Sequence, residues 1–225
     1  MSFNIAIDGP AGAGKSTIAR AAARSLGFLY VDTGAMYRAI ALHLLRNHVE
    51  VEQTDKIEEL LAGMTIRIAY SGGEQQIILN GENVTGQLRK EEVGNMASRS
   101  AANPKVREKL LQLQRDIARD NDVIMDGRDI GTFVLPNADV KVYLTASVEE
   151  RANRRYLELK EKGLDADMAK IEEDIRTRDF QDMNRTIAPL KQAEDAVVID
   201  SSRMSIPEVM DRIVDAFQES LKLKG

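Results

Sequence analysis

Gly9-Pro10-Ala11-Gly12-Ala13-Gly14-Lys15-Ser16 follows a short apolar run at residues 4–7 and leads directly into a helix-forming stretch at residues 17–26. The spacing GxxxxGK[ST], placed between a strand and a helix, is that of a phosphate-binding loop. Its glycines let backbone N–H groups converge on phosphate oxygens, and the helix start adds a partial positive charge. Lys15 is expected to reach the β and γ phosphates of a nucleotide, and Ser16 to ligate Mg²⁺. Gly9, Pro10, Ala11, Gly12, Ala13, Gly14, Lys15, Ser16 and Thr17 therefore form the expected ATP cradle.

GTPases, motor ATPases, helicases and small-molecule kinases share such a loop, so it names a ligand and not a reaction. The chain has neither a DxxG switch after a strand nor an NKxD base-reading motif, which argues against a guanine-nucleotide switch.

Outward from the loop, apolar runs recur at residues 4–7, 28–31, 122–125, 140–144 and 196–199, with helical stretches between them. Continuous runs mark strands buried on both faces, so the spacing predicts an α/β fold: a five-stranded parallel sheet with helices on both faces. In such folds active residues gather where strands end, here at Asp8-Gly9, Asp32-Thr33-Gly34, Asp126-Gly127-Arg128-Asp129 and Asp200-Ser201.

One stretch departs from this rhythm. Residues 65–70 alternate, Ser71-Gly72-Gly73 supplies a turn, and residues 76–80 return, which predicts a small antiparallel insert. Helices are expected over 89–103 and 105–120, and a closing helix over 206–221 serves packing. Two charged helices across 147–182, joined by a loop at Gly163, would suit a mobile lid. The chain is thus expected to be a single domain over 1–225. Its core would be about 1–62, 121–148 and 183–225, with an insert at about 63–120 and a lid at about 149–182.

Composition narrows the function classes. The chain has 225 residues, 31 Lys+Arg against 36 Asp+Glu and a net charge of -5, so the whole surface lacks the basic bias of a nucleic-acid binder. There is no cysteine, which removes disulfides, zinc ribbons and thiol catalysis and suits the reducing cytoplasm. No apolar run approaches the roughly 20 residues of a membrane span, and the start of the chain reads as a strand and not a signal peptide. A monomer without membrane or nucleic-acid partners is expected.

Among the strand-end residues, Thr33 is expected to cap a helix, with Arg38 just over one turn along it, facing either a cleft or solvent. Gly127-Arg128-Asp129 can present one cation to a phosphate and one carboxylate to a base edge, or form an ion pair within the turn. Asp126 is read as assisting Mg²⁺ through water. Arg151, Arg154 and Arg155 share one helical face, and Arg178, Asp182 and Arg185 share another, flanking the loop at Gly163; two or three of Arg151, Arg154, Arg155, Arg176 and Arg178 are expected to touch donor phosphates.

The runs GPAGAGKST, DTGAMYRA, DGRDIGT and NRTIAPL occur in this order over nearly the whole chain, which resembles the bacterial cytidylate kinases, a family of P-loop nucleoside monophosphate kinases. The resemblance implies transfer of the γ-phosphoryl group of ATP to CMP or dCMP with Mg²⁺, and makes the antiparallel insert an acceptor-binding region. Thr33 stands where that family often has Ser. By the same likeness Arg38, Arg128 and Arg185 clamp the acceptor phosphate, and Ser98, Arg107 and Asp129 meet the cytosine. Asp182 with Arg185 meets the ribose. On the residues alone Ser98 is equally a polar position in a small-residue helix, and Arg107 a surface charge paired with Glu108 or Asp116.

These implications assign catalysis to Lys15, Asp126, Arg128 and Arg185, and give Arg154 and Arg155 to ATP. Two rival readings remain on the sequence: a P-loop kinase for another small acceptor such as UMP or AMP, and a non-catalytic nucleotide-gated binding module.

Overall fold

The computed structural model describes residues 2–224. Along the chain run β1 (Asn4–Asp8), α1 (Lys15–Leu26), β2 (Leu29–Asp32), α2 (Thr33–Arg46), α3 (Thr54–Ala62), β3 (Ile66–Ser71), β4 (Glu74–Leu79) and β5 (Glu82–Asn83). After these come α4 (Glu91–Ser100), α5 (Pro104–Asp120), β6 (Val123–Gly127), β7 (Val140–Thr145), α6 (Val148–Glu161), α7 (Met168–Asn184), β8 (Val197–Asp200) and α8 (Ile206–Lys224). The chain divides into two compact units, Val31–Asp120 and the residues on either side of it.

The five-stranded sheet runs in the order β2-β6-β1-β7-β8. β1 pairs in parallel with β6 and β7, and β7 in parallel with β8. The expected sheet is present because Ile5, Ala6, Ile7, Val123, Ile124, Met125, Val142 and Leu144 are nearly inaccessible to solvent, as strands covered on both faces require. β8, one of the two edge strands, departs from that expectation: Val197 and Val198 are 43% and 50% exposed and only Ile199 enters the core. α1 and α8 pack on the sheet through Ile18, Ala22, Val209 and Ile213. Phe3, Phe28 and Phe217 close the end of this core with ring centroids 4.9 to 5.9 Å apart.

Register sets the chemistry. Asp8 lies opposite Gly127 and Tyr143, so the phosphate loop and the segment carrying Arg128 and Asp129 leave the sheet side by side. A single π-helical turn, Ile130–Val134, follows that segment. Its first amides donate to the Asp8 carboxylate, Ile130 N–H at 2.8 Å and Gly131 N–H at 2.7 Å.

The two charged helices near the end are α6 and α7. Ser147 caps α6 by accepting from Glu150 N–H, and Asp167 caps α7 by accepting from Ala169 and Lys170 N–H. They share a small core of Ala152, Ile171 and Ile175. Gly163, at φ +69, ends the first of them in the left-handed conformation.

In the unit Val31–Asp120, α2 packs on α4 and α5, and α3 on α5, around Met36, Ile40, Leu44, Ile57, Val106 and Leu110. The antiparallel insert is present as the sheet β3-β4-β5. Ser71 pairs with Glu74 across Gly72 and Gly73, whose φ values of 59° and 78° give the two-residue hairpin its primed turn. The helix cap differs from the sequence expectation: Asp32, not Thr33, is the N-cap of α2, its Oδ1 accepting from Ala35 N–H at 2.9 Å. A carboxylate one residue earlier reaches the free amide, and Thr33 becomes the first helical residue.

Candidate active site

The phosphate loop is built by backbone sterics. A side chain at Gly9, whose φ is 150°, would place Cβ 1.9 Å from the Leu144 carbonyl oxygen, so only glycine lets the chain turn this close to β7. Gly12 at φ +75 and Gly14 at φ +86 continue the left-handed geometry, and Gly14 is the N-cap of α1. Lys15 is buried and donates from Nζ to the Pro10 carbonyl at 2.7 Å. Burial, reinforced by the Arg128 charge, pushes its ammonium below the ordinary lysine range, while Asp126, Asp8 and Asp182 oppose that shift.

At the start of α1, Ser16 Oγ donates to Asp126 Oδ2 at 2.8 Å, and Tyr30 donates from its hydroxyl to Asp126 Oδ1 at 3.1 Å. Two hard oxygen donors at the exit of a phosphate loop suit a divalent cation such as Mg²⁺, which takes few protein ligands and keeps several waters. Among the described residues no cluster of three or more His, Cys, Asp or Glu forms a metal site elsewhere. The sequence did not single out Asp8 as more than a strand end. Burial pushes its carboxyl up to about 6 against the two amides that bind it, and the neighbouring Asp129 charge adds to the rise.

Arg128, Asp129, Asp182 and Arg185 come together as a network of two cations and two carboxylates. Arg128 Nε donates to Asp182 Oδ2 at 2.8 Å, and Arg185 Nη2 donates to Asp129 Oδ1 at 3.0 Å. Arg185 Nη1 stands 3.8 Å from Asp182 Oδ1. Burial works against the Arg128 charge, but Asp182, helped by Asp126 and Asp179, more than offsets it and raises the guanidinium above its ordinary range. Asp129 therefore pairs with a residue far along the chain and not with its neighbour Arg128.

Within Val31–Asp120 the other expected acceptor residues occupy α2, α4 and α5. Thr33 is buried at the start of α2. Arg38 Nη1 lies 3.4 Å from where a Cβ on Gly34 would stand, and Arg38 forms no ion pair or hydrogen bond among the described residues. Ser98 Oγ is buried and makes no hydrogen bond among the described residues. Arg107 is not the surface charge that its sequence neighbours allowed: only 4% exposed, it donates to the Ala101 carbonyl and lies 5.8 Å over the Tyr37 ring.

The arginines of α6 separate into three situations. Arg154 donates from Nε to Glu150 and from Nη2 to the Ser201 carbonyl at 2.8 Å, and its Nη1 lies 3.8 Å from a Cβ position on Gly14. Arg155 is paired with Glu158 at the surface. Arg151 is buried under the phosphate loop and bonded to Ala11 and Asp179. No sequence-local signal marks that pairing, since Arg151 and Asp179 are 28 residues apart.

The profile of the cytidylate kinase family matches residues 5–219. A cytidylate kinase of Caldicellulosiruptor saccharolyticus is 50% identical over 215 residues, covering 96% of this chain and 95% of that one. The cytidylate kinase of Pasteurella multocida is 46% identical over 221 residues, covering 98% and 97%. Among solved structures, an uncharacterized protein of Eubacterium ventriosum shares the fold, with a TM-score of 0.54 at 9% identity over 95% of this chain and 97% of that one. With a phosphate loop, a buried lysine and an arginine–carboxylate network between the end of β6 and the end of α7, and with this likeness along its whole length, the chain belongs to the cytidylate kinase family.

Proposed function

We propose that the chain transfers the γ-phosphoryl group of ATP to the phosphate of CMP or dCMP, forming ADP and CDP or dCDP, with Mg²⁺ held at Ser16 and Asp126. The observation that carries this reading is the phosphate loop of a cytidylate kinase family member set beside the Arg128–Asp182–Arg185–Asp129 network. Mg²⁺, when bound, supplies charge neutralisation at the β and γ oxygens.

In this reading residues 9–17 cradle the donor phosphates, Lys15 leaves Pro10 for the β and γ oxygens, and Arg154 and Arg155 add charge from α6. Arg38, Arg128 and Arg185 hold the acceptor phosphate, a dianion whose planar oxygens suit guanidinium forks. Thr33 supports it. An acceptor oxygen attacks the γ phosphorus, the bond to the β–γ bridging oxygen breaks, and its electron pair leaves with ADP. No general base is needed because the acceptor oxygen is already anionic, so positioning and fixed charge supply the rate.

Base and sugar recognition follow from hydrogen-bond chemistry. Cytosine presents an exocyclic N4 donor where uracil presents an acceptor. Asp129 accepts from N4 while keeping Arg185, since a carboxylate takes several hydrogen bonds at once. Ser98 and Arg107 complete the cytosine contacts, and Asp182 with Arg185 meets the ribose. The insert at about 63–120 serves acceptor binding and the helices at about 149–182 serve as a lid. The protein would work as a monomer, and in the cytoplasm, where a chain without cysteine is at home.

Purified protein given ATP, Mg²⁺ and CMP should form ADP and CDP one for one, and chelation of Mg²⁺ should stop both. ADP without CDP would make the chain an ATPase and overturn the proposal.

A further inference from the structure

The phosphate loop is braced from beneath by a buried ion pair that joins both helices of the α6–α7 hairpin to one residue, Ala11. Arg151, on α6, donates from Nη1 to the Ala11 carbonyl at 2.8 Å and to Asp179 Oδ2 at 2.6 Å, and from Nε to the Ala146 carbonyl at 2.9 Å. Asp179, on α7, accepts from Ala11 N–H through Oδ1 at 3.3 Å. Both side chains are nearly buried, at 5% and 11% exposed. A Cβ on Gly12 would stand 3.3 Å from Arg151 Cβ, so the arginine stem runs directly under the loop.

A phosphate loop turns successive N–H groups toward the anion, which sends carbonyls the other way, where each needs a donor. The Pro10 carbonyl has Lys15 and the Ala11 carbonyl has Arg151. A cation alone in that position would be costly to bury, and Asp179 both neutralises it and takes the Ala11 N–H.

We propose that Arg151 and Asp179 are positioning residues for ATP: they hold the loop in its anion-binding shape and tie that shape to the packing of α6 against α7. Neither touches phosphate, in contrast to the expected role of the other α6 arginines. The inference rests on reading the loop as the ATP site. It deepens that reading by naming what keeps the site formed, and predicts that the loop and the hairpin respond to ATP together.

The test is equilibrium binding of ATP in the absence of CMP, together with steady-state kinetics, so that a chain that binds ATP but phosphorylates something else still reports on the brace. Arg151→Met with Asp179→Leu removes both charges, so none is stranded. Asp179→Asn keeps an oxygen acceptor for Ala11 N–H. The double variant should bind ATP about 30-fold more weakly, or ~2 kcal/mol at 1.4 kcal/mol per tenfold, the size of charge-assisted hydrogen bonds lost at the loop. Its KM for CMP should move less than about threefold, and Asp179→Asn, which keeps the acceptor for Ala11 N–H but leaves the Arg151 charge unneutralised, should fall between the double variant and the unsubstituted protein in ATP affinity. Unchanged ATP affinity in the double variant, or an equal rise in both KM values, overturns the proposal. If the double variant does not fold, hydrogen exchange of the unsubstituted protein decides: residues 9–14 and 168–184 must gain protection together on ATP binding, and independent responses overturn it.

Discussion

In the phosphate loop the chain supplies partners to its own polar groups, whereas in Val31–Asp120 two residues at expected acceptor positions are left without any. Lys15 is bonded to Pro10, Ser16 to Asp126, and Ala11 at both ends to Arg151 and Asp179. Arg38 forms no ion pair or hydrogen bond among the described residues, and Ser98 Oγ is buried without one. The difference separates two ways of making a site. A phosphate cradle is a backbone shape that must be held before the ligand arrives, so the chain secures it internally. Side chains expected to meet an acceptor need only be positioned, and the ligand completes their hydrogen bonding.

The largest expected effect tests the first half. Lys15→Met should lower the rate of CDP formation by about 1,000-fold, the scale of one preorganised charge removed from a transition state, with the Kd for CMP within about twofold. A comparable loss of CMP affinity would show that the two regions do not act separately.

The cost of holding the cradle can be read at Asp8. Its carboxyl is raised from 3.8 to about 6 in the folded protein, so the proton is bound more tightly there than in the unfolded chain. Its contribution is fully present below about pH 4 and is lost as pH rises through about 6, a swing of about 3 kcal/mol against an Asp8→Asn variant, which lacks the titration. Unfolding free energies of the two proteins measured from pH 4 to pH 7 should diverge in that direction. Parallel curves would mean that the amides of Ile130 and Gly131 outweigh burial.

The smallest effect sharpens the second half. Ser98→Ala should raise the KM for CMP by about fivefold and leave the melting temperature unchanged, because its hydroxyl has no partner to lose among the described residues. A drop in stability without a change in KM would assign Ser98 to packing.

Much of this was legible in the sequence for reasons of scale. The phosphate loop is a local backbone pattern whose glycines sit where positive φ is required, and the strands of the sheet announce themselves as apolar runs. The half-exposed β8 could not be told from a central strand, since strand order, not composition, puts Val197 and Val198 at the edge. The cap of α2 was off by one because Asp32 and Thr33 are both good N-caps and only the backbone decides between them. The pairings of Arg151 with Asp179 and of Arg185 with Asp129 join residues 28 and 56 positions apart, and no periodicity encodes them. The family likeness supplied candidate residues at those positions but not their partners.

The most direct test of the central claim is the initial rate of ADP formation with ATP and Mg²⁺ across CMP, dCMP, UMP, AMP, GMP and no acceptor. CMP and dCMP should lead, with UMP behind them because it presents an acceptor where Asp129 requires a donor. A leading rate with UMP or AMP, or a rate independent of any acceptor, would contradict the account.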